Sequence, residues 1–124
     1  MAAAPECDDR TAERVARNEA RFRESNEQLL AAAKELGFGP DELTPYLCEC
    51  TDVACTTVVR LTKHDYEAVR TNSRRFINAP GHERNAHGWA RVVEEFDHYS
   101  VVEKIGRAGD IAAQLDTRQG AVDE

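Results

Sequence analysis

The stretch Cys48-Glu49-Cys50-Thr51-Asp52-Val53-Ala54-Cys55 sets three thiols within eight residues, and Pro80-Gly81-His82 brings an imidazole to a turn further on. Along extended backbone, residues two apart point the same way, so Cys48 and Cys50 present both sulfurs to one side. Cys55, returning across a turn, supplies a third corner of a tetrahedron, and histidine is the usual complement of three thiolates around a zinc ion. His82 takes the fourth place because Pro80-Gly81 fixes a sharp turn beside it, and Glu83 is placed to orient the ring. Cys7, His64, His87 and His98 remain the other candidates for that place. The Cys-x-Cys-x4-Cys spacing differs from the commoner pair of knuckles. The plain alternative is three small apolar side chains in a core, while a Cys48–Cys50 disulfide is strained at that separation.

The charge balance narrows the partners. Against 16 Lys plus Arg stand 23 Asp plus Glu, a net charge of -7, which makes the chain a poor general partner for nucleic acid or an anionic membrane. No apolar run of about 18 residues occurs, and the start Met-Ala-Ala-Ala-Pro-Glu lacks the basic and apolar regions of a secretion signal. These features lead to the expectation of a cytoplasmic protein, where clustered cysteines favour metal over disulfides. With 124 residues the chain reads as one domain with a modest core.

Residues 1–8 read as a disordered tail. A helix is expected from Asp9 to Leu36, capped by Asp9 or Thr11 and closed by Gly37. Val15, Phe22, Leu29 and Leu36 recur every seven residues with polar residues between, a narrow stripe suited to a protein partner or a second copy. Arg10, Arg14, Arg17 and Arg21 line one side, with Glu13 and Glu24 in reach, as in a solvated ion-paired face. After the breaker Gly37-Phe38-Gly39-Pro40, the runs Tyr46–Cys50 and Thr56–Leu61 predict a hairpin whose tip carries the cysteines. Thr62 caps a short helix through Tyr66 and Val69 to about Thr71, with Asp65 at the third helical position. Ser73–Ala79 turns extended, Pro80-Gly81 stops it, and Arg91–Phe96 and Tyr99–Ile105 make two more strands joined at Asp97-His98. Residues 106–124 read as a tail with a short helix over Asp110–Leu115. The expected architecture is α+β: a long N-terminal helix at 9–37 on a small antiparallel sheet of about four strands, with the zinc-binding part at 38–105.

Leu47-Cys48-Glu49-Cys50 with Cys55, Leu61-Thr62 with Tyr66-Glu67-Ala68-Val69-Arg70, Pro80-Gly81-His82-Glu83 and Tyr99-Ser100-Val101-Val102-Glu103-Lys104 resemble a family of short bacterial proteins. That family carries C-E-C-x4-C, L-T-x-x-E-Y-x-x-V-R, P-G-H-E and V-V-E-K blocks in this order. The resemblance covers residues 13–105 and departs at Asp65 and in a longer link through Asn85 to Trp89. It implies that Cys48, Cys50, Cys55 and His82 act together, in a setting of signalling proteins such as response regulators, and it implies no activity.

Four functions follow as expectations. The first is a zinc-binding regulatory or adaptor module that meets a protein through the N-terminal helix. The second is a nucleic-acid-binding regulator using Lys63, Arg70, Arg74, Arg75, Arg84 and Arg91, with Trp89 and Tyr66 stacking on bases. The third is a redox sensor whose oxidised thiols release zinc. The last is an enzyme, for which no constellation is present: the zinc deaminase signature, a Ser-His-Asp order, a phosphate-cradling glycine loop and a dinucleotide fingerprint are all missing.

Overall fold

The computed structural model describes residues 9–50, 55–82 and 90–118, with side chains from 13 onward. The expectations placed on Cys7, Glu83, Arg84, His87 and Trp89, and on the tails at 1–8 and 119–124, lie outside these residues. Helix α1 spans Asp9–Glu35. It closes through Gly37, where Phe38 N donates to Ala33 O at 3.0 Å in the six-to-one bond of a Schellman end. Strand β1 (Leu43–Leu47) pairs antiparallel with β2 (Val58–Thr62), Leu43 opposite Thr62 and Leu47 opposite Val58. Helix α2 (Lys63–Arg70) follows at once, and Thr62 Oγ1 accepts from Asp65 N at 3.1 Å, satisfying one of the free amides of its first turn.

Strands β3 (Arg75–Asn78), β4 (Ala90–Glu95) and β5 (Ser100–Lys104) form a second antiparallel sheet in the order β3-β5-β4. Phe96 N donates to Tyr99 O at 2.8 Å and closes the β4–β5 turn around Asp97-His98. Helix α3 (Gly106–Gln114) comes last. The fold is α+β, as the sequence leads one to expect, but its five described strands divide between two sheets. The division arises at the cysteines. The β1–β2 ladder ends with Cys48 N donating to Thr57 O at 2.9 Å, and the next amide, Glu49 N, donates instead to Ile77 O at 2.8 Å. The chain thus leaves one sheet and attaches to the other within one peptide.

The segment after β5 is no tail up to residue 118. Helix α3 starts at Gly106 and buries Ala108, Gly109, Ile111 and Ala112. Small residues let it approach closely. A Cβ built on Gly109 falls 2.7 Å from Lys104 O and 2.9 Å from the Arg74 guanidinium, and the former is backbone that cannot yield cheaply. Gly109→Ala is therefore expected to destabilise the fold by about 1–3 kcal/mol, although alanine is the better helix former by about 1 kcal/mol. Chemical denaturation of the two proteins reads the sign.

The inner face of α1 is Val15, Ala16, Glu19, Arg23, Asn26, Leu30 and Ala33. It follows the helical period, yet its middle is polar. Arg23 donates to Ser73 O at 2.7 Å and to Ala112 O at 3.1 Å, and its guanidinium lies 4.3 Å from the centre of the Phe76 ring. Glu19 pairs with Lys104 at 2.5 Å, both fully buried. Around the end of α1, Arg70 holds Glu27 at 2.6 Å and Asp116 at 2.7 Å, and Arg118 holds Glu27 and Glu67. The seven-residue stripe does not coincide with this face: Val15 is buried, Phe22 half-buried, Leu29 36% and Leu36 75% exposed. A strict seven-residue repeat drifts by about 20° per heptad on a straight helix, so the stripe rotates out of the contact.

Candidate metal centre

The four residues come from three places. Cys48 and Cys50 lie on the arm just past β1, Cys55 on the return toward β2, and His82 on the turn after β3. That turn is set by sequence: His82 N donates to Ala79 O at 2.9 Å across Pro80 and Gly81, and Gly81 has φ 88°, the conformation a type II turn demands at its third position. The same Ala79 donates its N–H to Cys48 Sγ at 3.2 Å, so one residue positions both a sulfur and the imidazole.

The three sulfurs and one histidine nitrogen all lie within 4.8 Å of one another. His82 Nδ1 is 3.5 Å from Cys48 Sγ and 3.5 Å from Cys55 Sγ. A single tetrahedral ion bonded at about 2.3 Å to sulfur and about 2.0 Å to nitrogen has S···N edges of about 3.5 Å, which these separations match. Cys48 and Cys50 are buried, while Cys55 and His82 form the half-exposed edge. The hydrogen bond with Cys50, and then burial, hold the Cys48 thiol well above its ordinary pKa. Three thiolates this close repel one another, and a cation among them reverses that balance. The donor set therefore fits a bound metal ion.

Of the other candidates for fourth ligand, His64 and His98 are exposed and outside the cluster. The alternation that aims Cys48 and Cys50 at Cys55 and His82 aims Glu49 the opposite way, into the core. Its carboxylate accepts from Asn26 Nδ2 at 2.8 Å, from the Tyr66 hydroxyl at 2.7 Å and from Ile77 N at 3.0 Å. Asn26 also pairs with Leu47 on both sides, donating to Leu47 O at 2.9 Å and accepting from Leu47 N at 2.8 Å. Burial pushes the Glu49 carboxyl above its usual range against these donors and Arg23, and burial and the facing Glu49 likewise raise the Tyr66 phenol.

Sequence reasoning gave Glu49 no partners and did not single out Asn26. The signal was present: a residue between two ligands on extended backbone must face away from them, and a carboxylate there needs donors. Tyr66, considered for base stacking, is fully buried and stacks on Tyr46 with ring centres 4.4 Å apart.

The segment proposed as basic is largely neutralised. Arg70 is buried against Glu27 and Asp116, Arg74 meets Asp110, Arg75 meets Glu103, and Lys63 caps Phe38 O. None of the described helices is long and apolar enough to cross a membrane. No protein-family model matches the chain, and neither the curated proteins nor the solved structures gave a significant match.

Proposed function

We propose that the protein is a small zinc-binding regulatory or adaptor module that works through protein–protein contact, with Cys48, Cys50, Cys55 and His82 as the four ligands. The observation that carries this reading is the closed donor set, four protein groups within 4.8 Å. Soft thiolates with one imidazole in tetrahedral array favour zinc over hard cations, and four protein ligands leave no open position for chemistry. An iron–sulfur cluster is disfavoured because its ligands spread over separate irons. The nearest fully buried acid, Glu49, is engaged by three donors on the side away from the thiols, so it is no general base for a metal-bound water. The resemblance to short bacterial proteins found beside signalling proteins points toward regulation as well.

Exposed Leu29 on α1 and Leu36 just past its end support contact with a protein or a second copy, whereas Val15 is spent on the protein's own core. Protein purified without added metal is expected to hold one zinc per chain by elemental analysis, and Cys48→Ser and His82→Ala to lose it. Leu29→Asp with Leu36→Asp is expected to abolish self-association or partner capture without changing zinc content. A wild type that is strictly monomeric and recruits no partner counts against the adaptor reading.

The half-exposed Cys55 favours one second reading, a thiol redox sensor. Mild peroxide would then release zinc and a thiol reductant restore it, while zinc retained under oxidant ends that idea. The nucleic-acid reading has less support, since its described arginines, Arg70, Arg74, Arg75 and Arg91, already face carboxylates. Binding to DNA or RNA at about 50 mM salt that fades steeply as salt is added would revive it.

A further inference from the structure

We propose that Glu49 couples metal occupancy to the docking of the C-terminal half of α1, making that half of the helix the element that responds to the metal. The inference rests on the zinc-binding reading above and adds how that site is read by the rest of the molecule. Glu49 is the peptide neighbour of two ligands, so fixing Cys48 and Cys50 on an ion fixes its backbone. That backbone is attached to β3 through Glu49 N and Ile77 O at 2.8 Å. Its carboxylate, wholly buried, is the shared acceptor of Asn26 from α1, Tyr66 from α2 and Ile77 N from β3.

Removing the ion takes away the cross-link that fixes Cys48 and Cys50 to Cys55 and His82. As the arm relaxes the carboxylate withdraws, and three donors in a dry core lose their acceptor, a state far less favourable than leaving them all in water. Opening the contact around Asn26 relieves it. Toward its N-terminal side α1 has other anchors, Glu19 on Lys104 and Arg23 on Ser73 and Ala112, which make their ion pair and hydrogen bonds outside the arm and meet Glu49 only through its charge. Beside its ion pairs from Glu27 to Arg70 and Arg118 and from Lys34 to Glu67, only the C-terminal half makes a direct hydrogen bond to Glu49, through Asn26.

The test is amide hydrogen exchange on the full chain, with saturating zinc and after chelation. Exchange over residues 26–35 is expected to speed up at least about 100-fold on zinc removal, while residues 15–23 and β5 change by less than about 10-fold. Coupling is reciprocal, so Tyr66→Phe, which removes one hydroxyl and touches no ligand, is expected to weaken zinc binding by about 5- to 50-fold. Equal protection of 26–35 in the two states, an even loss of protection across all elements, or unchanged zinc affinity in Tyr66→Phe overturns the coupling while leaving the zinc site standing. A chain that binds no zinc overturns both.

Discussion

Chelating the metal is expected to lower the unfolding temperature by about 12–20 °C. A ligand that binds only the folded state at about 1,000 times its dissociation constant adds about 4 kcal/mol, and a domain of this size shifts by about 3–5 °C for each kcal/mol. The geometry makes the effect large because the four groups come from separate stretches of chain that one ion would cross-link. The arm carrying Cys48 and Cys50 spans from one sheet to the other, and His82 follows the far sheet's strand β3. Replacing Cys50, which is fully buried, by serine is expected to remove the zinc dependence and leave the variant near the chelated wild type. Thermal unfolding followed by circular dichroism, with zinc or chelator, checks both. A shift of only a few degrees would show that the four groups do not share an ion. The stabilisation also weakens as pH falls, since each thiol must lose its proton to bind.

The second large effect is expected at the Glu19–Lys104 pair. Both side chains are 0% exposed, 2.5 Å apart, and neither carboxylate nor ammonium has a further hydrogen-bond partner among the described residues. Removing one partner strands a charge in the core, so Glu19→Met or Lys104→Met alone is expected to cost about 3–5 kcal/mol, whereas the double substitution is neutral or stabilising by about 1–4 kcal/mol. A double-mutant cycle by chemical denaturation with zinc present measures the difference, and additive single effects would contradict it.

The pair also carries a pH signature. Burial pushes the Glu19 carboxyl up to about 7, with Lys104 acting against the shift. A folded-state value above the ordinary 4.5 favours the fold when the group is protonated, so this contribution is full below that value and is lost as pH rises toward 7. Relative to the double variant, the wild type is expected to lose stability between about pH 5 and pH 7.5.

The contrast between legible and hidden parts follows the physics of each signal. Thr62 with Asp65, Pro80 with Gly81, and the return through Gly37 act within a few residues, and each occurs where local chemistry places it. The helix stripe does not mark the face that packs on the rest of the protein, because apolar periodicity was its only measure. The face that docks on the rest of the protein carries Glu19, Arg23 and Asn26, whose burial depends on Lys104, on carbonyls from Ser73 and Ala112, and on Glu49. Those partners are 23 to 89 residues away in the chain, and nothing local announces them. The helix after β5 begins at Gly106, four residues before the Asp110–Leu115 helix the sequence leads one to expect, and its first turn was hidden for the same reason. Gly106, Ala108 and Gly109 are poor evidence for a helix until Gly109 packs on Lys104 O and the Arg74 guanidinium, where a side chain has no room.

Taken by itself, the sequence determined which atoms are able to hold a metal, because donor chemistry and the alternation of extended backbone are properties of single residues and their neighbours. It also determined that a long helix precedes a mixed region of short strands. Only the tertiary structure decided that the strands form two sheets, that His82 is the imidazole brought to the thiols, and that Glu49 turns inward to tie α1 and α2 to the arm between the ligands. Those outcomes depend on buried polar groups finding partners across the fold, a condition that exists only once the segments have packed.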